Sequence, residues 1–399
     1  MADLSVREFD GSSVPLVVHG LGATKRIAKL LDERGLRRAL IVSTQSLLAG
    51  GGALSDLQEA LGSRTAGIAP PIRSHTPIAD VASVTAYCAE VAPDVLVAIG
   101  GSSAIDGAKL VALRLAGADP QTVVEEGAVR PRRPNGHLSP VPLIAVPTTL
   151  SAGEHRPSAG MADLDHGTKL LCDDPRLLPS AVVLDPALTQ HTPAGLWASS
   201  GVKAIDHAAE TIWGSQSHPV GDALAAEALR RLSRSLPRTV TEPGDLAARL
   251  DCQLAAWLSV HTMTNTRIHL SHALEHCIGA YWHISHGTTS CIALPAVMEY
   301  LADLEPGKVA RVARALGAVR HREGFPKGEA GDRRDALAGA TWLRGFIGQL
   351  PVPTRLRDVV EDLSAVPDVA RIATRELAFF GYVPPGGEST VEALLSRMW

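Results

Sequence analysis

The chain has 399 residues, 45% of them hydrophobic and 20% charged, the balance of a soluble globular protein with length for two or three domains. A formal net charge of -4 and a pI near 6.4 exclude any long-range pull toward nucleic acid or an acidic membrane, and no basic run restores one. Five scattered cysteines without a C-x-x-C pair exclude a fully paired disulfide framework and point to a reducing compartment. The first twenty residues lack the basic start and apolar core of a signal peptide, and no apolar run reaches membrane-spanning length. The expectation is a cytoplasmic protein with neither a nucleic-acid nor a membrane partner.

The first half alternates apolar runs with amphipathic ones: "VPLVVHG", "ATKRIAKLLDERG", "RALIVST", "LSDLQEALG", "VASVTAYCAEV", "DVLVAIGG", "SAIDGAKLVALRLAG" and "VPLIAVPTT". Such alternation predicts βαβ units on a largely parallel sheet, with "SAVVLDP" as one more buried strand. From about Pro193 the pattern turns to long helical segments broken at "GSQSHPVG", "TEPGD", "PGK" and the charged stretch "RHREGFPKGEAGDRRD", which reads as a surface loop. The predicted organisation is an α/β domain over 1–190 and an all-helical domain over 191–399.

Three motifs can carry chemistry. In "DVLVAIGGSSAIDGAKLVAL" a strand delivers Gly100, Gly101, Ser102 and Ser103 to a helix start, where exposed amides and the helix dipole suit a phosphate; Asp106 and Lys109 steady the loop or face water. In "AVPTTLSAGEHRPSAG", Thr148 and Thr149 follow a strand's carboxyl end, where open α/β sheets bind ligands. The histidine-dense "IHLSHALEHCIGAYWHISHG" places His272 and His276 four apart on a helix, with His283 and His286 beyond a predicted break at Gly279. "GVKAIDHAAE" adds Lys203 and His207, again four apart.

In order and spacing these motifs, with "VVHGLGATKRIAKLL" and "DPALT", resemble the iron-containing (group III) alcohol dehydrogenase superfamily, and within it the maleylacetate reductase-like branch. The resemblance implies the dehydroquinate synthase-like architecture: a dinucleotide-binding α/β domain, a helical catalytic domain, and NADH or NADPH in the cleft between them. It further implies a homodimer. Gly100, Gly101, Ser102 and Ser103 then match the pyrophosphate-binding turn, Asp106 and Lys109 its helix, Thr148 and Thr149 residues near the phosphates and nicotinamide, and Lys169 a lysine near the cofactor ribose. Ser43 and Thr44 end the second strand where an NAD-selective relative tends to carry an acid, so use of NADPH, alone or beside NADH, is expected.

The resemblance also implies a metal held by one Asp and three His in its metal-dependent members. Those positions here read Lys203, His207, His272 and His286, with His276 a further active-site histidine. A lysine both repels a divalent ion and removes a neutralising carboxylate, so no catalytic metal is expected. Lys203 and the imidazoles would supply positive charge and hydrogen bonds to a small carboxylate substrate, with Arg156 or Arg267 as a further clamp. Asp206 is set to pair with Lys203 across three residues. Three other readings stand beside this one: a metal-dependent alcohol dehydrogenase in which water or Asp206 replaces the lost ligand, a dehydroquinate synthase-like enzyme that uses a bound nicotinamide for internal redox and elimination, and an inactive dinucleotide-binding homologue.

Overall fold

The computed structural model describes residues 13–121, 141–164, 168–261, 263–265, 269–319, 328–379 and 381–399. Their contacts divide into two compact units, one of Val14–Gly201 with Ser235–Trp257, the other of Val202–Arg234 with Leu258–Trp399.

The first unit is built on six parallel strands. In chain order its elements are β1 (Val17–His19), α1 (Arg26–Glu33), β2 (Ala39–Val42), α2 (Gln45–Gly50), α3 (Gly52–Leu61), β3 (Thr65–Ile68), α4 (Ile78–Val91), β4 (Val95–Gly100), α5 (Ser102–Leu115), β5 (Leu143–Pro147), β6 (Ser158–Asp163), β7 (Thr168–Asp173) and β8 (Ala181–Leu184). The sheet order is β1-β8-β5-β4-β2-β3. Successive side chains of a strand face opposite ways, and both faces are covered: Leu40, Val42, Leu96 and Ala98 pack on one side with α4 and α5, Ala39, Ile41, Val95 and Val97 on the other with α1 and α3. Continuous apolar runs such as "VLVAIG" are what a strand buried on both faces requires.

Two features escaped the periodicity. β3, "TAGI", is short and half-buried at the sheet edge. β6 and β7 form a separate antiparallel pair in a stretch for which the periodicity predicts no strand, because its Gly, Ser and Asp residues mask the alternation.

After β8 the described elements are helical: α6 (Ala194–Trp213), α7 (Pro219–Thr241), α8 (Leu246–Val260), α9 (Leu270–Tyr281), α10 (His286–Leu304), α11 (Pro306–Ala315), α12 (Glu329–Ile347), α13 (Val366–Phe379) and α14 (Glu388–Arg397). No helix among the described residues is long and apolar enough to cross a membrane. Two expectations need correction. The charged stretch is not all loop, since α12 begins at Glu329 with Glu329 and Asp332 in its first turn, where acids favour helix initiation. The break after His276 falls at Trp282, not Gly279. Gly279 is there because a Cβ would stand 2.9 Å from the Ile284 carbonyl oxygen, so its bareness lets the loop to α10 close onto α9. The five cysteines are free and buried.

Candidate active site

In the first unit, three expected motifs fall at the carboxyl ends of neighbouring strands β2, β4 and β5. Gly100 pairs with Pro147, and the Thr148 amide donates to the Gly100 carbonyl at 2.9 Å. Gly100 has φ 144, open only to glycine, and turns the chain so that Gly101 caps α5. A Cβ on Gly101 would lie 3.1 Å from Thr149 Cγ2, so the turn and the threonine loop are in close packing. The first turn of α5 holds no acid to compete for its amides. Bare backbone, unshared helix-start amides and the adjacent buried Thr148 and Thr149 fit a dinucleotide's phosphates. Gly101→Val is therefore expected to raise the dissociation constant for NADH and NADPH roughly tenfold by pushing Thr149 aside, read by fluorescence titration.

The other expected cofactor residues divide by role. Ser43 is buried and its hydroxyl donates to Ile99 O at 2.9 Å, tying β2 to β4, which leaves Thr44, the cap of α2, as the member of that pair nearer the surface. Asp106 accepts from the Gly160 amide at 3.1 Å. The wholly buried Lys109 ammonium donates to the carbonyls of Gly153, Arg156 and Ser158 at 2.6, 2.7 and 3.0 Å, so both steady the chain between β5 and β6. Burial pulls Lys109 down to about 8 against Asp106 and Glu154, and pushes Glu154 up to about 7. Arg156 stands half-buried against Asp173 and Asp106, a counter-ion and not a visible substrate clamp. Lys169 lies in β7 opposite Ala162 of β6, and its side chain, like all of Arg267, lies outside the described residues.

The second unit gathers the histidines. Ring centroids run from His207 to His272 at 5.8 Å, His272 to His276 at 4.6 Å, and His276 to His286 at 5.3 Å. Helix periodicity stacks His272 and His276 on one face of α9, α6 brings His207, and the short loop that closes onto Gly279 returns His286 at the start of α10. His269 is a core residue instead: its ring packs tilted against Tyr382 with centroids 4.2 Å apart, and burial lowers it to about 4.

Lys203 points into this group and is buried, not part of a surface pair. Its Nζ lies 3.0 Å from Asp206 Oδ2 and 3.1 Å from His272 Nδ1, and bonds Glu275 Oε2. Burial pulls the ammonium down, but Asp206 and Glu275 outweigh it and push it up to about 12, so Lys203 is a fixed cation at neutral pH. An ammonium has three N–H donors, and these three acceptors use them. This corrects the expectation that Lys203 itself gives hydrogen bonds to a substrate. Because Lys203 can only donate, His272 Nδ1 must accept, and the His272 proton is on Nε2.

Three carboxylates invisible to motif reading complete the site. Glu275 sits one turn after His272 and reaches Lys203; burial and Asp206 hold it well above the usual carboxylate range. Glu210 accepts from the His269 and Ser271 amides at 2.7 and 3.1 Å, anchoring the start of α9, and burial and Asp206 push it up to about 7. Glu376, from α13, meets His276 Nδ1 at 2.8 Å and accepts from Cys277 Sγ at 3.1 Å.

Residues 15–186 match the model for iron-containing alcohol dehydrogenase, and residues 197–399 that for the C-terminal part of the Fe-containing alcohol dehydrogenase family. A maleylacetate reductase of Sphingobium indicum is 32% identical over 301 residues, 75% of this chain and 77% of its own. The crystal structure of maleylacetate reductase from Rhizobium sp. strain MTP-10005 superposes with a TM-score of 0.78 at 25% identity, over 99% of both chains. The fold is shared with an alcohol dehydrogenase from Oenococcus oeni, TM-score 0.88 at 21% identity, over 98% of this chain and 100% of that one.

Proposed function

We propose that this chain, which belongs to the iron-containing alcohol dehydrogenase family and is a nicotinamide-dependent oxidoreductase, reduces an unsaturated or oxo carboxylate of the maleylacetate kind without a catalytic metal. The observation that carries the reading is the placement of the Lys203 ammonium among Asp206, Glu275 and His272. A divalent ion does not fit among acceptors whose lone pairs are already directed at a fixed cation, and the two charges would repel.

NADH or NADPH, its phosphates held by the turn at Gly100 and Gly101 beside Thr148 and Thr149, would supply a hydride, so that negative charge would develop on the substrate's carbonyl oxygen. In this reading His272, oriented by Lys203, offers its Nε2–H to that developing oxyanion, and the nearby ammonium makes the negative charge less costly. His276 then gives the proton that completes the reduction. Glu376, on its Nδ1, fixes the ring so that Nε2 serves the substrate. His207 and His286 widen the imidazole surface that would receive a carboxylate.

As a positioning residue, Glu376 has its own test. Glu376→Gln is expected to lower kcat about tenfold with KM within about twofold, and to shift a limb of the pH–rate profile. A purely structural Glu376 would lower the melting temperature without that split.

One observation favours a second reading, a metal-dependent alcohol dehydrogenase: donor atoms of Asp206, His272 and Glu275 all lie within 4.8 Å of one another. Metal content, together with NADH and NADPH oxidation against maleylacetate before and after chelator, separates the two. Metal-free protein with chelator-insensitive turnover supports the proposal; a stoichiometric metal whose removal abolishes turnover overturns it.

A further inference from the structure

We infer that Asp206, His272 and Glu275 form a divalent-cation site that the Lys203 side chain keeps closed, the ammonium being a tethered cation in a metal ion's place. The inference rests on the metal-free part of the reading above and is independent of the substrate.

The donor set is distinct from the one that the family resemblance implies, which uses positions 203, 207, 272 and 286; only His272 is common to both. Asp206 comes from α6, His272 and Glu275 from one face of α9, and their donor atoms already converge within 4.8 Å. Metal–oxygen and metal–nitrogen bonds of about 2.0–2.2 Å need donors about 3 Å apart, so a side-chain adjustment of an ångström or so completes the group. Two carboxylates and an imidazole are a donor set that first-row divalent ions accept.

Charge explains why the site stays shut. The Asp206 and Glu275 side chains are 0% exposed. Carboxylates that deep require a cation, a proton or several N–H donors, and Lys203 Nζ supplies charge and hydrogen bonds at once. Removing the ammonium leaves the same buried oxygens, the same imidazole and a void where Nζ stood. A divalent ion then answers both needs, and nothing in the cluster repels it. Lys203 thereby serves as more than a substitute for a lost ligand: it uses up the acceptors that would otherwise recruit a metal, which frees turnover from metal supply.

The test compares the unmodified protein, Lys203→Ala and Lys203→Ala/Glu275→Gln, each purified without chelator and titrated with cobalt(II) chloride. Elemental analysis and the visible absorption of bound cobalt are the readouts. Lys203→Ala is expected to take about one cobalt per chain, at least about 100-fold more tightly than the unmodified protein, and the added Glu275→Gln to weaken that about tenfold or more. Uptake by Lys203→Ala no better than by the unmodified protein, or unchanged by Glu275→Gln, overturns the inference and leaves the metal-free reading standing. A stoichiometric metal in the unmodified protein overturns both. Should Lys203→Ala fold poorly, production with cobalt in the medium decides: recovery of folded, cobalt-loaded protein supports the site, and no recovery with or without cobalt counts against it.

Discussion

Replacing Lys203 with methionine lowers turnover about 10²- to 10³-fold, while the dissociation constants for NADH and NADPH stay within about threefold. Methionine keeps the length of the stem and removes the charge, so the loss isolates the ammonium. Two consequences follow at the site. His272 Nδ1 loses the donor that fixes its tautomer, so the ring no longer holds its proton on Nε2. Asp206 and Glu275 lose their cation and draw a proton or a metal instead, which turns a positive spot neutral or negative where the reaction builds an anion. Breaking a buried pair also costs about 3–5 kcal/mol of stability, so the assay is run below the variant's own melting transition, with chelator present to exclude adventitious metal. Lys203→Arg does not restore the rate, because a planar guanidinium cannot copy three divergent donors. Equal losses in turnover and cofactor affinity would remove Lys203 from the chemistry and leave it a folding residue.

How much of this could be read in advance depended on whether the signal was local. The parallel sheet was legible because strands buried on both faces must be continuously apolar, and β2, β4, β5 and β8 are. Lys203 with His207, and His272 with His276, were legible as pairs because four-residue spacing on a helix stacks side chains, whereas His286 and the grouping of all five came from the family resemblance; the structure brings the five together. What Lys203 touches was not legible. Glu275 is a single acid on a helix, which sequence cannot distinguish from a solvated face, and Glu376 lies 100 residues from His276, joined to it only by the packing of α13 on α9. Ser43 misled for the converse reason: its place at a strand end suggested a ligand, but its hydroxyl is used by Ile99.

Lys109 supplies the other large expected effect, and it separates steadying the fold from binding the cofactor. Lys109→Met is expected to destabilise the α/β unit by about 3–5 kcal/mol, lowering its melting transition by about 5–10 °C. Three partly buried carbonyls, those of Gly153, Arg156 and Ser158, lose their shared donor at once, and methionine offers no N–H in return. The acids around it, Asp106, Glu154 and Asp173, lose a neighbouring cation, which for the buried Glu154 opposes the effect of burial. The damage should concentrate between β5 and β6, where hydrogen exchange at residues 153–158 is expected to accelerate while β4 stays protected. The turn at Gly100 and Gly101 is set by backbone and by Thr149, neither of which Lys109 holds. Folded Lys109→Met should therefore bind NADH and NADPH within about threefold of the unmodified protein. A large loss of affinity with an unchanged melting transition would instead return Lys109 to the cofactor site, the place that the family resemblance implies for it.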